Sequence, residues 1–242
     1  GRKIRDQIIE ELKDQVLGMD RKPVLAVFII GNDPVSLNYV NLKQKLAENI
    51  GIGFKLFKYE VGANQSKILN KINELNRDKT VDGIMIQIPL PNNWDRDALI
   101  SAINPSKDID GLRYCLGLDS DFEPPVVLAI ERALGEASQQ VSKSASQQIV
   151  IIGKGFLVGK PLCRHLFERC GVEARAKDNN SRIASNNIFP ISCIDNKSIG
   201  LTRKADVVIS ATGQAGLIKP EMLKEGVVLI DAGTSESGGK LV

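Results

Sequence analysis

The sequence contains a single histidine and only four cysteines among its 242 residues. The cysteines, Cys115, Cys163, Cys170 and Cys193, include no CxxC pair, whereas a structural zinc site needs several Cys or His ligands at short spacing. A Ser-His-Asp triad is also disfavoured, because the one histidine, His165, lies in a helical pattern that predicts a packing or surface role. We therefore expect no metal site, and catalysis that relies on groups other than histidine.

Long apolar runs and a one-sided charge are missing as well. The longest apolar segments, residues 24–30 and 83–90, are far shorter than the roughly 20 residues of a membrane-spanning helix. The formal net charge of +3 is spread along the chain and does not form the basic stripe of a nucleic-acid-binding protein. No charged-then-apolar signal segment opens the sequence. We therefore expect a cytoplasmic protein that binds neither nucleic acid nor membrane.

The sequence does contain an alternation of strand and helix patterns. Apolar runs predict strands at residues 24–30, 55–61, 83–88, 148–152, 172–176, 205–210 and 227–231. Periodic or capped segments predict helices at residues 4–17, 34–50, 66–77, about 95–103, about 122–134, from the glycine turn to about 170, and about 220–224. Residues 177–204 show no period and are predicted to be a loop, an insertion or a locally disordered segment.

This alternation is typical of parallel sheets, and a Ser/Gln-rich segment at residues 136–148 separates two halves. We therefore predict an α/β protein with two lobes. Residues 1–135 are predicted to form an N-terminal α/β catalytic domain with a parallel sheet. Residues 136–242 are predicted to form a C-terminal Rossmann-like dinucleotide-binding domain.

Polar side chains that could carry chemistry lie near predicted strand ends in the first half. Tyr39 and Lys43 are four residues apart on the helix after the first strand, and therefore share one face. Gln87 interrupts a buried strand, where its amide needs partners. The spacing of Tyr39 and Lys43 also fits an ordinary exposed helix face, and the Gln87 amide could simply form hydrogen bonds with neighbouring backbone. Position favours a binding role, because ligands gather at the carboxyl ends of parallel strands.

Two loops add further candidates. Asp108 and Asp110 lie in the segment KDIDG. This segment could be an ordinary turn, or one of its carboxylates could accept hydrogen bonds from an amino-substituted heterocycle. The segment GKGFLVG at residues 153–159 follows a predicted strand and opens a helix, so its glycines could admit a pyrophosphate to the helix N-terminus. Its spacing is GxGxxxG rather than GxGxxG, and a tight turn without a ligand is the alternative.

Seven short segments follow one another in a recognisable order. They are DPVSLNYVNLK at 33–43, QIPLP at 87–91, KDIDG at 107–111, GKGFLVGKP at 153–161, VVISATG at 207–213, VLIDAG at 228–233 and GKLV at 239–242. Together they resemble the bifunctional methylenetetrahydrofolate dehydrogenase/methenyltetrahydrofolate cyclohydrolase family over nearly the whole chain. The resemblance implies oxidation of 5,10-methylenetetrahydrofolate with a nicotinamide dinucleotide, followed by hydrolysis of the methenyl product to 10-formyltetrahydrofolate.

The resemblance also implies roles for individual residues. Lys43 becomes the central catalytic group for proton transfer and water activation, Gln87 assists it, Asp110 anchors the pterin and Tyr39 stacks on the folate. Tyr39, Gln87 and Asp110 are thus the expected substrate-binding residues. The expected cofactor-binding residues are Gly153, Lys154, Gly155, Gly159, Asp178, Gly213 and Thr234. Family members are commonly homodimers, so a homodimer is expected here.

The choice between NADP and NAD depends on two departures from the family pattern. The usual glycine turn reads GRS, in which the Arg and Ser favour a 2′-phosphate, whereas this chain has Gly153-Lys154-Gly155. Asp178 stands near the end of the next predicted strand, where a carboxylate suits a ribose 2′-OH and repels a 2′-phosphate. Asp178 therefore favours NAD, while Lys154 or Lys177 could still pair with the phosphate of NADP.

The sequence also stops before the Pro/Gly-rich PVPGGVGP loop and the final helix of the family, and we expect a truncated piece. Two hypotheses follow. The first is an active dehydrogenase/cyclohydrolase, which the complete set of reactive groups favours. The second is a catalytically impaired remnant that binds folate or dinucleotide. A dehydrogenase for another substrate would leave Tyr39, Lys43 and Gln87 unexplained.

Overall fold

The computed structural model divides the chain into two compact units, Gly1–Phe122 and Glu123–Val242. Each unit is built on a parallel or mostly parallel sheet with α-helices, as predicted. The residues that the structure describes are 2–138, 148–169, 182–183, 191–194, 199–233, 236–237 and 240–241.

The first unit has a parallel sheet with the strand order β2-β1-β3. The strands are β1 (Val24–Ile30), β2 (Gly53–Tyr59) and β3 (Gly83–Ile86), and the helices are α1 (Arg2–Leu17), α2 (Pro34–Ile50), α3 (Gln65–Arg77), α4 (Arg96–Ser101) and α5 (Leu112–Leu116). Because all three strands run the same way, their carboxyl ends lie along one edge of the sheet, where α/β proteins bind ligands.

Helix α2 begins and ends where its sequence predicts. The Asp33 carboxylate accepts a hydrogen bond from the Ser36 N–H at 2.8 Å, and Pro34 occupies the first helical position. Gly51 ends the helix at φ 95°, a left-handed conformation that favours glycine, and its N–H donates to the Ala47 carbonyl at 3.0 Å. The helix therefore starts directly after β1 and presents its first turns near the ligand-binding edge.

Several boundaries in this unit differ from the prediction: β3 ends at Ile86 rather than at residue 88, and β2 and α3 begin at other residues. Strand β2 lies two residues earlier than residues 55–61, because Gly53 pairs with Val24 and the Gly53 N–H donates to the Pro23 carbonyl. The cap of α3 is Asn64 rather than Ser66, since the Asn64 side chain accepts from the Ser66 N–H at 2.8 Å. The corrections to β2 and α3 come from strand pairing and a capping hydrogen bond, which the apolar pattern does not encode.

The second unit contains a sheet with the strand order β5-β6-β4-β7-β8, in which only β5 is antiparallel to its neighbour. Its described elements are α6 (Pro125–Ser138), β4 (Ile149–Ile152), α7 (Gly159–Arg169), β5 (Arg182–Ile183), β6 (Ile191–Ile194), β7 (Val207–Ser210), β8 (Val228–Asp231), β9 (Glu236–Ser237) and β10 (Lys240–Leu241). The predicted short helix near residues 220–224 is a 3₁₀ turn at Pro220–Met222.

The prediction that residues 177–204 are a loop, an insertion or a locally disordered segment is wrong for the described part of this stretch, which forms regular elements at Arg182–Ile183, Ile191–Ile194 and Ile199–Lys204. Strand β6 lies inside this stretch and pairs in parallel with β4, with Ile149 opposite Ile191. Its Cys193 and Ile194 side chains are buried, so the strand is part of the core. A four-residue strand within a polar stretch leaves too short an apolar run for pattern recognition. The predicted strand at residues 172–176 lies outside the described residues.

The two units divide between Phe122 and Glu123, which is earlier than the predicted boundary after residue 135. The reason is the packing of α6, whose Val127 and Ile130 share one hydrophobic cluster with Ile151 of β4. An amphipathic helix beside a domain boundary does not reveal from its sequence which sheet it covers.

His165 is fully buried in α7 and has the predicted packing position. Its Nδ1 lies 3.1 Å from Glu123 Oε1, and its Nε2 lies 3.3 Å from Glu131 Oε2. Within the described ranges, no cluster of three or more His, Cys, Asp or Glu side chains could hold a metal ion. Across the same part of the chain, every helix is too short or too polar to cross a membrane.

Candidate active site

The four predicted catalytic residues all belong to the first unit. Tyr39 and Lys43 lie one helical turn apart on α2, Gln87 directly follows β3, and Asp110 lies in the loop before α5. The structure brings Lys43 and Asp110 together, with Lys43 Nζ 3.7 Å from Asp110 Oδ2. Residues separated in sequence therefore meet near the carboxyl end of the sheet.

Lys43 occupies a partly sheltered position. Its side chain is 37% exposed and that of Asp110 is 27% exposed, so a ligand can reach both. Besides the carboxylate, the amine has a second partner: Lys43 Nζ donates to Met85 Sδ at 3.0 Å. The lysine is thus fixed at the edge of the sheet, and it is not held in a close ion pair.

Gln87 is half-buried, with its amide only partly satisfied. Its Nε2 donates to the neighbouring Ile88 carbonyl at 2.8 Å, as the alternative of local backbone bonding requires. Its Oε1 is buried and has no hydrogen-bond partner among the described residues. An unsatisfied buried acceptor is unfavourable by about 1–3 kcal/mol. A donor from substrate or water would relieve that deficit.

Asp108 and Asp110 have different environments. The Asp108 carboxylate is fully buried and accepts from the Leu112 N–H at 3.1 Å and the Arg113 N–H at 2.7 Å. Burial raises the pKa of the Asp108 carboxyl. This carboxylate satisfies the first turn of α5, so it is structural. Asp110, in contrast, faces Lys43.

Cys115 lies in the same part of the unit, but its chemistry is suppressed. Burial raises the pKa of the Cys115 thiol to about 12, and the nearby carboxylates of Asp108 and Asp110 add to the effect. Because the thiolate is the nucleophilic form of cysteine, the raised pKa strongly disfavours this residue as a nucleophile at neutral pH. Lys43 therefore stays the predicted reactive group of the unit.

The glycine turn of the second unit has one position that is open to a ligand. Gly153 has φ 100°, and an added Cβ would lie 2.6 Å from the Ala211 carbonyl oxygen. A Cβ on Gly159 would lie 1.8 Å from the Gly153 oxygen. A Cβ on Gly155 would meet nothing within 4 Å. The first two glycines are therefore required by the fold, whereas the open space at Gly155 fits the close approach of a pyrophosphate.

The neighbouring loops line the same sheet edge. The Thr212 hydroxyl, just after β7, is buried without a hydrogen-bond partner in the described part of the chain, and Gly213 beside it is exposed. Half-exposed Lys154 lies inside the glycine turn. The predicted cofactor residues Asp178 and Thr234 lie outside the described residues. The residues present fit a dinucleotide, because β4 and β7 are adjacent parallel strands. Their carboxyl ends lead to the open space at Gly155 and to the Thr212 hydroxyl, which has no partner among the described residues.

Met85, the neighbour of Lys43, was not predicted from the sequence. Side chains alternate along a strand, so Met85 and Gln87 share a face of the sheet. Met85 also belongs to the apolar cluster that contains Val40 of α2. The two-residue spacing from Gln87 was the available signal, but an apolar residue in a buried strand normally indicates only packing.

Family profiles match both halves of the chain. The family profile described as "Tetrahydrofolate dehydrogenase/cyclohydrolase, catalytic domain" matches residues 1–110. The companion "NAD(P)-binding domain" profile matches residues 129–242. The Bifunctional protein FolD of Aquifex aeolicus is 35% identical over 248 residues, which cover all of this chain and 79% of that relative.

Solved structures give the same result. The bifunctional enzyme FolD from Campylobacter jejuni has a TM-score of 0.82 at 30% identity and covers 99% of this chain and 82% of that one. FolD of Trypanosoma brucei, complexed with NADP cofactor and an inhibitor, has a TM-score of 0.81 at 25% identity and covers 100% of this chain and 82% of that one. The resemblance drawn from the seven sequence segments is confirmed. The chain belongs to the tetrahydrofolate dehydrogenase/cyclohydrolase family.

Proposed function

We propose that this chain oxidises 5,10-methylenetetrahydrofolate to the 5,10-methenyl form with NAD or NADP and hydrolyses the product to 10-formyltetrahydrofolate. The observation that carries the proposal is the position of Lys43, whose amine lies between Met85 Sδ and Asp110 Oδ2 at an accessible sheet edge. Membership of the family supports both reactions. The first unit supplies the folate site and the second unit supplies the dinucleotide site.

Folate binding is assigned to Asp110 and Tyr39. The Asp110 carboxylate is partly exposed, so it can accept two hydrogen bonds from the amino-substituted pterin ring. Tyr39 is half-buried on the same face of α2 as Lys43, where its ring can stack on the folate. In this arrangement the one-carbon bridge of the substrate lies near the lysine amine.

Hydrolysis is assigned to Lys43 with help from Gln87. Water must add to the methenyl carbon and lose a proton, and one carbon–nitrogen bond must then break. The Lys43 amine can exchange that proton, while the unsatisfied Gln87 Oε1 can accept a hydrogen bond from the attacking water. The proposed hydrolysis uses no histidine, which agrees with the burial of His165 in the packing of the second unit.

Oxidation requires the bound dinucleotide, which accepts a hydride from the methylene carbon. The protein's part is to hold the pyrophosphate, and we assign this to Gly153, Gly155, Gly159, Lys154 and Gly213. The NADP bound to the Trypanosoma brucei relative supports a cofactor of this class. We further propose that Asp178 and Thr234 contact the cofactor, and that the Asp178 carboxylate favours the ribose hydroxyl of NAD.

Two expectations about the whole protein stay predictions. Homodimer formation is inferred from the common oligomeric state of the family, and a cytoplasmic location is inferred from the sequence. Both are open to direct measurement, the first by sedimentation and the second by fractionation of cells.

Substitution of Lys43 by methionine tests the proposed function. Lys43→Met should abolish hydrolysis, so that methenyltetrahydrofolate accumulates while reduced dinucleotide still forms, because hydride transfer does not use the amine. The matched control is Lys45→Met, which changes an exposed lysine on the same helix and should behave as wild type. Near-normal hydrolysis in Lys43→Met would remove Lys43 from its assigned role.

A further inference from the structure

Met85 lies in an apolar environment apart from its sulfur contact. It is 1% exposed in β3 and pairs in register with Val27 of β1. Around it lie Val40 and partly buried Leu37 of α2. Its sulfur accepts a hydrogen bond from Lys43 Nζ at 3.0 Å, so its one polar atom meets the one amine that the hydrolysis requires.

The kind of partner matters for the lysine. A thioether is a weak, uncharged and polarisable acceptor, and it takes no proton from the amine. The Asp110 carboxylate is the stronger hydrogen-bond acceptor, but its Oδ2 lies farther from the Lys43 Nζ, at 3.7 Å. The sulfur therefore fixes the amine without neutralising a charge, and it leaves the carboxylate available to the substrate.

We propose that Met85 is a positioning residue that holds the Lys43 amine in its working position for methenyl hydrolysis. This inference rests on the proposed function. Met85 acts through Lys43 and does not itself touch the reacting atoms. Without the sulfur, the amine would be free to swing toward Asp110, away from the water that it activates.

Methionine methyl NMR tests the contact independently of activity. The chain has three methionines, so ¹³C-methyl labelling gives three signals, and Met85→Leu identifies that of Met85. Lys43→Leu should shift the Met85 signal and leave those of Met19 and Met222 in place. Lys45→Leu, on the same helix, should shift none of the three. An unchanged Met85 signal in Lys43→Leu would overturn the proposal, whether or not the protein turns over.

Kinetics test the consequence. Leucine for methionine is among the best-tolerated core changes, so Met85→Leu should fold. Loss of one hydrogen bond should lower kcat for hydrolysis about threefold to tenfold, with the dehydrogenase kcat unchanged. Met222→Leu, the same change in the second unit, should alter neither activity.

Equal falls in both activities would indicate a merely structural role and overturn the proposal, as would unchanged hydrolysis. Absence of hydrolysis in the wild type would contradict the proposed function, while the NMR result would still decide the contact.

Discussion

The carboxyl groups of Asp108 and Asp110 are two residues apart and have different environments, to which we assign different tasks. Asp108 is fully buried and holds the first turn of α5 through two backbone N–H groups. Asp110 is partly exposed and lies 3.7 Å from the Lys43 amine. The same side chain is thus structural at one position and available to substrate at the other.

Exchange of each aspartate for asparagine should separate these tasks. Asp110→Asn should raise the KM for the folate substrate about tenfold or more, because hydrogen bonds to a charged group contribute about 1.5–3 kcal/mol, and should leave Tm nearly unchanged. Asp108→Asn should lower the free energy of unfolding by about 1–3 kcal/mol, since the amide NH₂ would face backbone donors. Steady-state kinetics and thermal unfolding of both variants provide the measurement. A fall in Tm for Asp110→Asn alone would reverse the assignment.

At the scale of single residues, the sequence could indicate candidate site residues but could not by itself choose among them. The segment KDIDG contains two carboxylates, and only the resemblance selected Asp110. Met85 was missed because nothing in an apolar strand reveals that a lysine on a separate helix will reach its sulfur. Gln87 was found, because an amide at the end of a buried strand is conspicuous.

Among the elements, the glycine turn between β4 and α7 contains two glycines that the fold requires and one that it does not require. Gly153 and Gly159 have no room for a Cβ, whereas Gly155 has open space on that side. Steric demands of the fold therefore explain two of these glycines, whereas the third would be explained by the proposed contact with the pyrophosphate.

Alanine substitutions distinguish the two kinds of glycine. Gly155→Ala should leave Tm unchanged or slightly higher, because the unfolded chain loses freedom, yet raise the KM for the dinucleotide by blocking the pyrophosphate. Gly153→Ala is the control, and overpacking there should lower the free energy of unfolding by about 1–3 kcal/mol. Thermal unfolding and cofactor kinetics measure both. An unaltered cofactor KM in Gly155→Ala would contradict the assignment of this glycine.

At the junction before β3, the contacts of Asp82 predict a stabilisation that depends on pH. The Asp82 carboxylate accepts from the Val24 N–H at 2.8 Å and pairs with Arg21. The hydrogen bond from Arg21 lowers the pKa of Asp82 from its ordinary 3.8. Because the folded-state pKa is the lower one, this stabilisation is present above pH 3.8 and is lost as the pH falls through the folded-state value.

Asp82→Asn should therefore lower the free energy of unfolding by about 1 kcal/mol at pH 7, a figure reduced for the exposure of the pair. The difference from wild type should shrink below the ordinary pKa of Asp82. Urea unfolding at neutral and acidic pH gives the comparison, and Asp20→Asn, at an exposed position, serves as the control. A difference that does not change with pH would contradict this account.

Elements with strong local signals were predictable, and those that depend on pairing were not. Helix α2 has an Asp cap, a proline at its start and a glycine at its end, so its bounds follow from sequence. Strand β6 is four residues long and gains its place by pairing with β4. Strand β2 shifted by two residues because Gly53 pairs with Val24, a tertiary preference that overrides the local pattern.

At the scale of the whole molecule, the alternation of strands and helices was enough to predict two α/β units. The division between them was harder, because α6 packs on the sheet that follows it in the chain. The identity of the substrate came from ordered motifs, since spacing alone could not separate a catalytic Tyr39–Lys43 pair from an exposed helix face.

The most direct test of the central claim is turnover of 5,10-methylenetetrahydrofolate by the purified chain, followed by absorbance with NAD and NADP in separate reactions. The account predicts that reduced dinucleotide appears, that the methenyl intermediate then decays, and that NAD is used more readily than NADP. Folate binding without turnover in either reaction would contradict the proposed enzyme and match the remnant hypothesis.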